Sequence, residues 1–212
     1  AASDVYKRQG EKSAEYANLP LQWMPHIQVA DVAASAGRAL ALGGRELMHQ
    51  KDAGGRSQWA VLVDPNGAAF GIIPVVASHA VPDGASSDTA GRISRLDLTV
   101  SEASATRDFY RDVVGWSVQD VEMEDAGKRY ADYALCTPDG NAVAGVCHAR
   151  GVNQAIPPVW LICLPVGDLS ESLARVQGGA GQVVEARKGR TGEYVYAVIR
   201  DPVVACLALM PG

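Results

Sequence analysis

Basic residues are in deficit in this chain of 212 residues: 19 Lys and Arg stand against 24 Asp and Glu, for a net charge of −5. No basic stripe interrupts that balance, which argues against nucleic acid as a partner. No apolar run approaches the roughly 18 residues that a bilayer-spanning helix needs, so no membrane partner is expected. The first nine residues lack the apolar stretch of a secretory signal. The four cysteines, Cys136, Cys147, Cys163 and Cys206, show no C-x-x-C spacing. Three of them sit in apolar, strand-like runs, and they read as buried reduced thiols of a cytoplasmic protein. Also missing are G-x-S-x-G, a P-loop and H-E-x-x-H, so the common nucleophile, nucleotide and zinc-protease signatures give no foothold. What is present is a 48% hydrophobic composition, ordinary for a globular chain and ample for a core.

The chain repeats itself. Three segments share one layout: a short strand ending in valine, an alanine-rich helix, and strands closing on a turn. The first runs from Ile27-Gln28-Val29-Ala30-Asp31 to Asp64-Pro65-Asn66-Gly67, and the second from Leu98-Thr99-Val100-Ser101-Glu102 to Thr137-Pro138-Asp139-Gly140. The third runs from Leu164-Pro165-Val166-Gly167-Asp168 to Asp201-Pro202-Val203-Val204. From valine to turn the spacings are 35, 37 and 35 residues (Val29 to Asp64, Val100 to Thr137, Val166 to Asp201). A period kept three times marks a repeated supersecondary unit.

Each unit reads as β-α-β-β-β, an α+β fold. In module one the pattern predicts a strand over 21–29, a helix over 31–42 with Asp31 as N-cap, and strands over 45–50, 59–63 and 69–74. Module two predicts a strand over 93–100, a helix over 102–114 ending at Gly115, and strands over 117–124, 129–136 and 141–148. Module three predicts a strand over 159–166, a helix over 168–177, and strands over 182–186, 194–200 and 205–210. Residues 1–20 carry no period and read as a leader or tail whose first residues are foreign to the fold; a flexible native tail is the plain alternative. Residues 21–75 form a single module. The Gly, Ser, Ala and Asp-rich stretch 76–91 reads as a linker, and 92–212 as a complete domain of two modules, 92–149 and 157–212. Alternation sets the faces of the first strands. Leu96, Leu98 and Val100 go under the helix, leaving Arg95, Asp97 and Thr99 on the other face. In module three Leu161, Cys163 and Pro165 take that other face, and in module one Met24, His26 and Gln28 do.

Two motifs resemble a family. Phe109-Tyr110-Arg111-Asp112-Val113-Val114-Gly115-Trp116 resembles the F-Y-x-x-x-x-G-W helix end of the vicinal oxygen chelate superfamily, which includes glyoxalase I, extradiol dioxygenases and bleomycin resistance proteins. Asp64-Pro65-Asn66-Gly67-Ala68-Ala69-Phe70-Gly71 resembles its closing turn and strand. The resemblance implies tandem βαβββ modules, paired into cup-shaped, partly closed mixed sheets with helices on the outer face. Three modules leave one unpaired. Either a preceding module is missing, or module one completes its cup as a homodimer or by self-association. The resemblance also places metal ligands five residues before the strand valine and at the end of the last strand. In module two these positions hold Arg95 and His148, in module three Leu161 and Pro211, and in module one Met24 and Pro74. Arginine has no lone pair to give, so no metal and no cofactor are expected. The expected ligand site is a polar cluster of Arg95, Asp97, Thr99 and His148 on one cup face, with Tyr130 and Tyr133 as aromatic wall and Cys163 alongside. Its plain alternative is a structural Arg95–Asp97 pair and a satisfied core histidine. No catalytic residue is assigned. The function implied is a metal-free, glyoxalase- or bleomycin-resistance-like protein binding a small anionic or hydroxylated molecule. The alternative is a metal-dependent lyase, isomerase or dioxygenase.

Overall fold

The structure, a computed structural model, describes residues 19–76, 92–125 and 127–212. Most of the expected leader and linker lies outside these residues. The elements follow the repeat. Module one contains β1 (His26–Val29), α1 (Val32–Ala41), β2 (Arg45–Lys51), β3 (Ser57–Val63) and β4 (Ala69–Pro74). Module two contains β5 (Arg95–Val100), α2 (Ala103–Val114), β6 (Ser117–Asp125), β7 (Lys128–Cys136) and β8 (Ala142–His148). Module three contains β9 (Trp160–Val166), α3 (Leu169–Gly178), β10 (Gln182–Lys188), β11 (Tyr194–Arg200) and β12 (Cys206–Pro211). One expected strand is shorter than read: β1 begins only at His26, directly after Pro25, which has no N–H to give to a ladder.

The helix ends follow local chemistry. Asp31 and Asp168 cap α1 and α3, accepting from the N–H groups of Ala34 and Glu171 at 2.9 and 2.8 Å. α2 stops at Gly115, whose φ of 86° suits a residue without Cβ.

Module one forms a four-stranded sheet in the order β1-β4-β3-β2, and modules two and three share an eight-stranded sheet, β10-β11-β12-β9-β5-β8-β7-β6. The first and last strands of each module run parallel, and the others antiparallel. The two halves of the larger sheet meet where β5 and β9 pair antiparallel, Arg95 opposite Cys163 and Asp97 opposite Leu161. Each helix covers one face of its own module's strands.

α1 and α2 also pack against each other, so the cores of modules one and two merge. Val29, Phe70 and Ile72 join Phe109, Tyr110 and Val113 in one cluster with Leu98, Leu135 and Val146. A buried polar chain runs through this joint and touches all three modules. Trp160 Nε1–H donates to the Tyr110 hydroxyl at 2.9 Å, and that hydroxyl donates to Asp64 at 3.3 Å. Asp64 also accepts from the N–H groups of Asn66 and Ala68. Burial holds its carboxyl above the usual range despite these donors. Above Asp64, Asn66 donates across to the Thr106 hydroxyl of α2 at 2.9 Å.

Candidate functional site

A cavity of about 430 Å³ opens on the helix-free face of module two, within the range typical of small-molecule sites. Alternation on three adjacent strands builds it. Asp97 of β5 stands opposite Gly145 of β8, which stands opposite Ala134 of β7. Val121 and Met123 of β6, Asp132 of β7, and Val143 and Cys147 of β8 complete most of the wall, with Arg95 at the rim. Gly145 has no side chain because Asp97 occupies its space: a Cβ there would lie 2.6 Å from Asp97 Oδ1.

Two carboxylates line this largely apolar space. Asp97 is 8% exposed and Asp132 4%. Asp97 Oδ2 accepts from Arg95 Nε at 3.1 Å and from the Cys163 thiol at 3.3 Å. Asp132 Oδ1 accepts from the His148 backbone N–H and from its Nδ1, both at 2.9 Å. Burial pushes the Cys147 thiol up to about 12, with Asp97 and Asp132 adding to the effect. Cys163 is raised for the same reasons, burial first and Asp97 next. Neither thiol is a ready nucleophile. At pH 8 the Cys147 thiolate is scarce, and its higher intrinsic reactivity recovers only part of the loss. Alkylation of Cys147 by iodoacetamide should therefore run roughly 50-fold slower than that of a free thiol. Peptide mass spectrometry over a time course checks this; a rate near the free-thiol value would contradict the negative, dehydrated wall.

The structure separates the residues grouped by sequence. Arg95 and Asp97 face the cavity together. Thr99 shares their strand face but is buried (3% exposed) beside Cys147, outside the cavity lining. His148 does not share the cup face. The register sets it opposite Val100, on the helix side, and the residue opposite Thr99 is Cys147. Its ring reaches Asp132 because the β7–β8 pairing ends at Tyr133 and Val146, and the Asp132 carboxylate takes over the freed His148 N–H. Tyr133, opposite Val146, lines the cavity even so, while the Arg107 guanidinium stacks on its ring at 4.3 Å. Tyr130 lies outside the cavity lining. It packs edge-on to His148 at 5.6 Å and carries the Arg150 guanidinium at 4.2 Å. Cys163 sits beneath Asp97, fully buried.

Sequence reasoning missed Asp132, Gly145, Val121, Met123 and Arg187. Asp132 left one signal: it is the lone carboxylate in the run Tyr130-Ala131-Asp132-Tyr133-Ala134-Leu135, where a buried charge needs a reason. Arg187 of β10 stacks over Tyr196 at 5.0 Å and bonds Asn153, and its Nε is buried with no acceptor among the described residues.

The family's metal positions do not fit a metal here. Arg95 occupies the first and is tied to Asp97, while Leu161, its counterpart across the sheet, is apolar and fully buried. Among the described residues no three His, Cys, Asp or Glu side chains converge in a way that could hold an ion. No helix among them is long and apolar enough to cross a membrane.

Similar proteins exist over much of the chain. It is 30% identical over 115 residues to putative glyoxylase CFP32 of Mycobacterium tuberculosis (strain CDC 1551 / Oshkosh), a match covering 54% of this chain and 43% of that protein. It is 26% identical over 180 residues to anthracycline biosynthesis protein DauV of Streptomyces sp. (strain C5), covering 82% of this chain and 62% of that one. The chain thus spans about half the length of these curated relatives. In fold it is similar to homoprotocatechuate 2,3-dioxygenase from Brevibacterium fuscum, with a TM-score of 0.50 and 15% identity over 90% of this chain and 55% of that structure. A family model matches residues 92–203, more than half of the sequence and seven of the eight strands of the larger sheet, and the chain belongs to the family that it describes, the Glyoxalase/Bleomycin resistance protein/Dioxygenase superfamily.

Proposed function

We propose that this protein binds a small organic molecule in the module-two cavity, and that it does so without a metal ion. One observation carries the reading: the side chain at the family's first ligand position, Arg95, is an arginine already engaged by Asp97 at the rim of a largely apolar cavity. A guanidinium there has no lone pair to offer a metal ion. A cavity of this size with a few buried polar groups suits a compact ligand.

The test uses the full chain. Metal content is measured after purification, and thermal stability is scanned with Ni²⁺, Zn²⁺, Fe²⁺ and Mn²⁺ and then with a metabolite panel. The expected result is far less than one metal per chain, no stabilisation by any ion, and at least one organic compound that raises Tm. Stoichiometric metal with a clear gain in Tm would overturn the reading in favour of a metal-dependent lyase, isomerase or dioxygenase.

A further inference from the structure

Asp132 is the carboxylate that the cavity leaves uncompensated. Asp97 has a cation of its own in Arg95. Asp132 has no arginine or lysine at ion-pair distance among the described residues; its one side-chain partner is His148. Both of the His148 bonds fall on Oδ1, and Oδ2 accepts from no described residue. The Asp132 side chain is only 6% exposed, yet it lines the cavity, so the little surface it keeps is turned inward. Oδ2 is not among the fully buried atoms, so a donor that enters the cavity can reach it. Much of the neighbouring wall is apolar, with Val121, Met123, Ala134 and Val143, and none of the donors in the lining, Arg95, Tyr133 or Cys147, bonds Oδ2.

The field at this wall is negative as well. Asp97 and Asp132 each raise the Cys147 thiol by more than Arg95 or Arg187 lowers it. The strand spacing of about 4.8 Å puts the Cα atoms of Asp97 and Asp132 roughly 12 Å apart, two strands over and two residues along. The space between them is bounded by a carboxylate paired with Arg95 on one side and one without an arginine or lysine partner among the described residues on the other.

We propose that the cavity takes an organic amine, its protonated nitrogen donating to Oδ2 of Asp132 and its apolar body lying against Val121, Met123 and Val143. This rests on the reading that the cavity binds a small molecule, and it names the class. It also replaces the anionic or hydroxylated ligand expected from Arg95 and His148. The charge of Arg95 is already met by Asp97, and His148 lies outside the cavity lining.

The experiment titrates the full chain at pH 7 with three size-matched probes: 1-naphthylmethylamine, 1-naphthylmethanol and 1-naphthoate. Binding is followed through the amide resonances of Val121, Val143 and Cys147. Amine and alcohol can both donate to the ionised carboxylate, but only the amine adds an ion pair, so it should bind about tenfold more tightly than the alcohol, with the carboxylate weakest. Asp132→Asn keeps an amide oxygen for His148 and removes the charge. It should lower the amine's affinity about tenfold and the alcohol's by clearly less, because only the amine loses an ion pair. If that variant does not fold, the three wild-type titrations decide alone. Alcohol or carboxylate binding as tightly as the amine overturns the amine assignment and leaves the cavity as a binding site. No movement with any probe overturns both.

Discussion

Replacing Phe70 with alanine should remove about 3–5 kcal/mol of unfolding free energy. Phe70 is fully buried, and its ring stands edge-on to Phe109 at 6.1 Å and to Tyr110 at 5.2 Å. Edge-to-face aromatic pairs add to the area they bury, and these two pairs join the four-stranded sheet to α2 of the eight-stranded one. Truncation leaves a hole at the joint, lined by residues of two modules that cannot both move in to fill it. Denaturant unfolding followed by tryptophan fluorescence and by circular dichroism measures the loss. A cost below about 1 kcal/mol would mean that the two sheets fold as independent units and that the shared core contributes little.

Gly145→Val should abolish ligand binding in the cavity. The first added carbon already falls 2.6 Å from Asp97 Oδ1, and two more would project into the space between Asp97 and Ala134. Asp97 must swing away from Arg95 and Cys163, so both the volume and the charge pattern of the site change. Overpacking of this kind costs roughly 1–3 kcal/mol, which the fold should survive, since valine suits a strand. The expected result is a far-ultraviolet spectrum like that of the wild type, together with loss of the thermal shift that any cavity ligand gives. An undiminished shift would show that the ligand sits elsewhere.

The strand valines Val29, Val100 and Val166, with the helices and turns that follow them, made the three-module architecture legible in the sequence. Those features are local, and the repeat states them three times. The β5 faces were legible for the same reason, because Leu96, Leu98 and Val100 alternate cleanly with Arg95, Asp97 and Thr99. What could not be read was anything that depends on which strand ends where. His148 was placed by its position in the family pattern. Within β8 it follows the parity of Ala144 and Val146, and it meets Asp132 only through the early end of a ladder. Asp132 gains its meaning from that same ending. The Phe109-Tyr110 pair was legible as a family signature but not as a joint, since Asp64 and Trp160 lie 46 and 50 residues away from Tyr110 along the chain.

The chain from Asp64 through Tyr110 to Trp160 has a consequence for how such a protein can be cut and rearranged. The family match begins at residue 92, and a gene fragment starting there would look complete on paper. It would strip Tyr110 of its acceptor and uncover the side of α2 where Phe109 and Val113 now meet module one. Duplication and fusion can multiply these modules freely only until such a chain threads through them. After that, a segment that lies outside the family match is still not separate as a material part. Domain exchange between relatives would have to carry the Asp64 turn together with the helix that it holds.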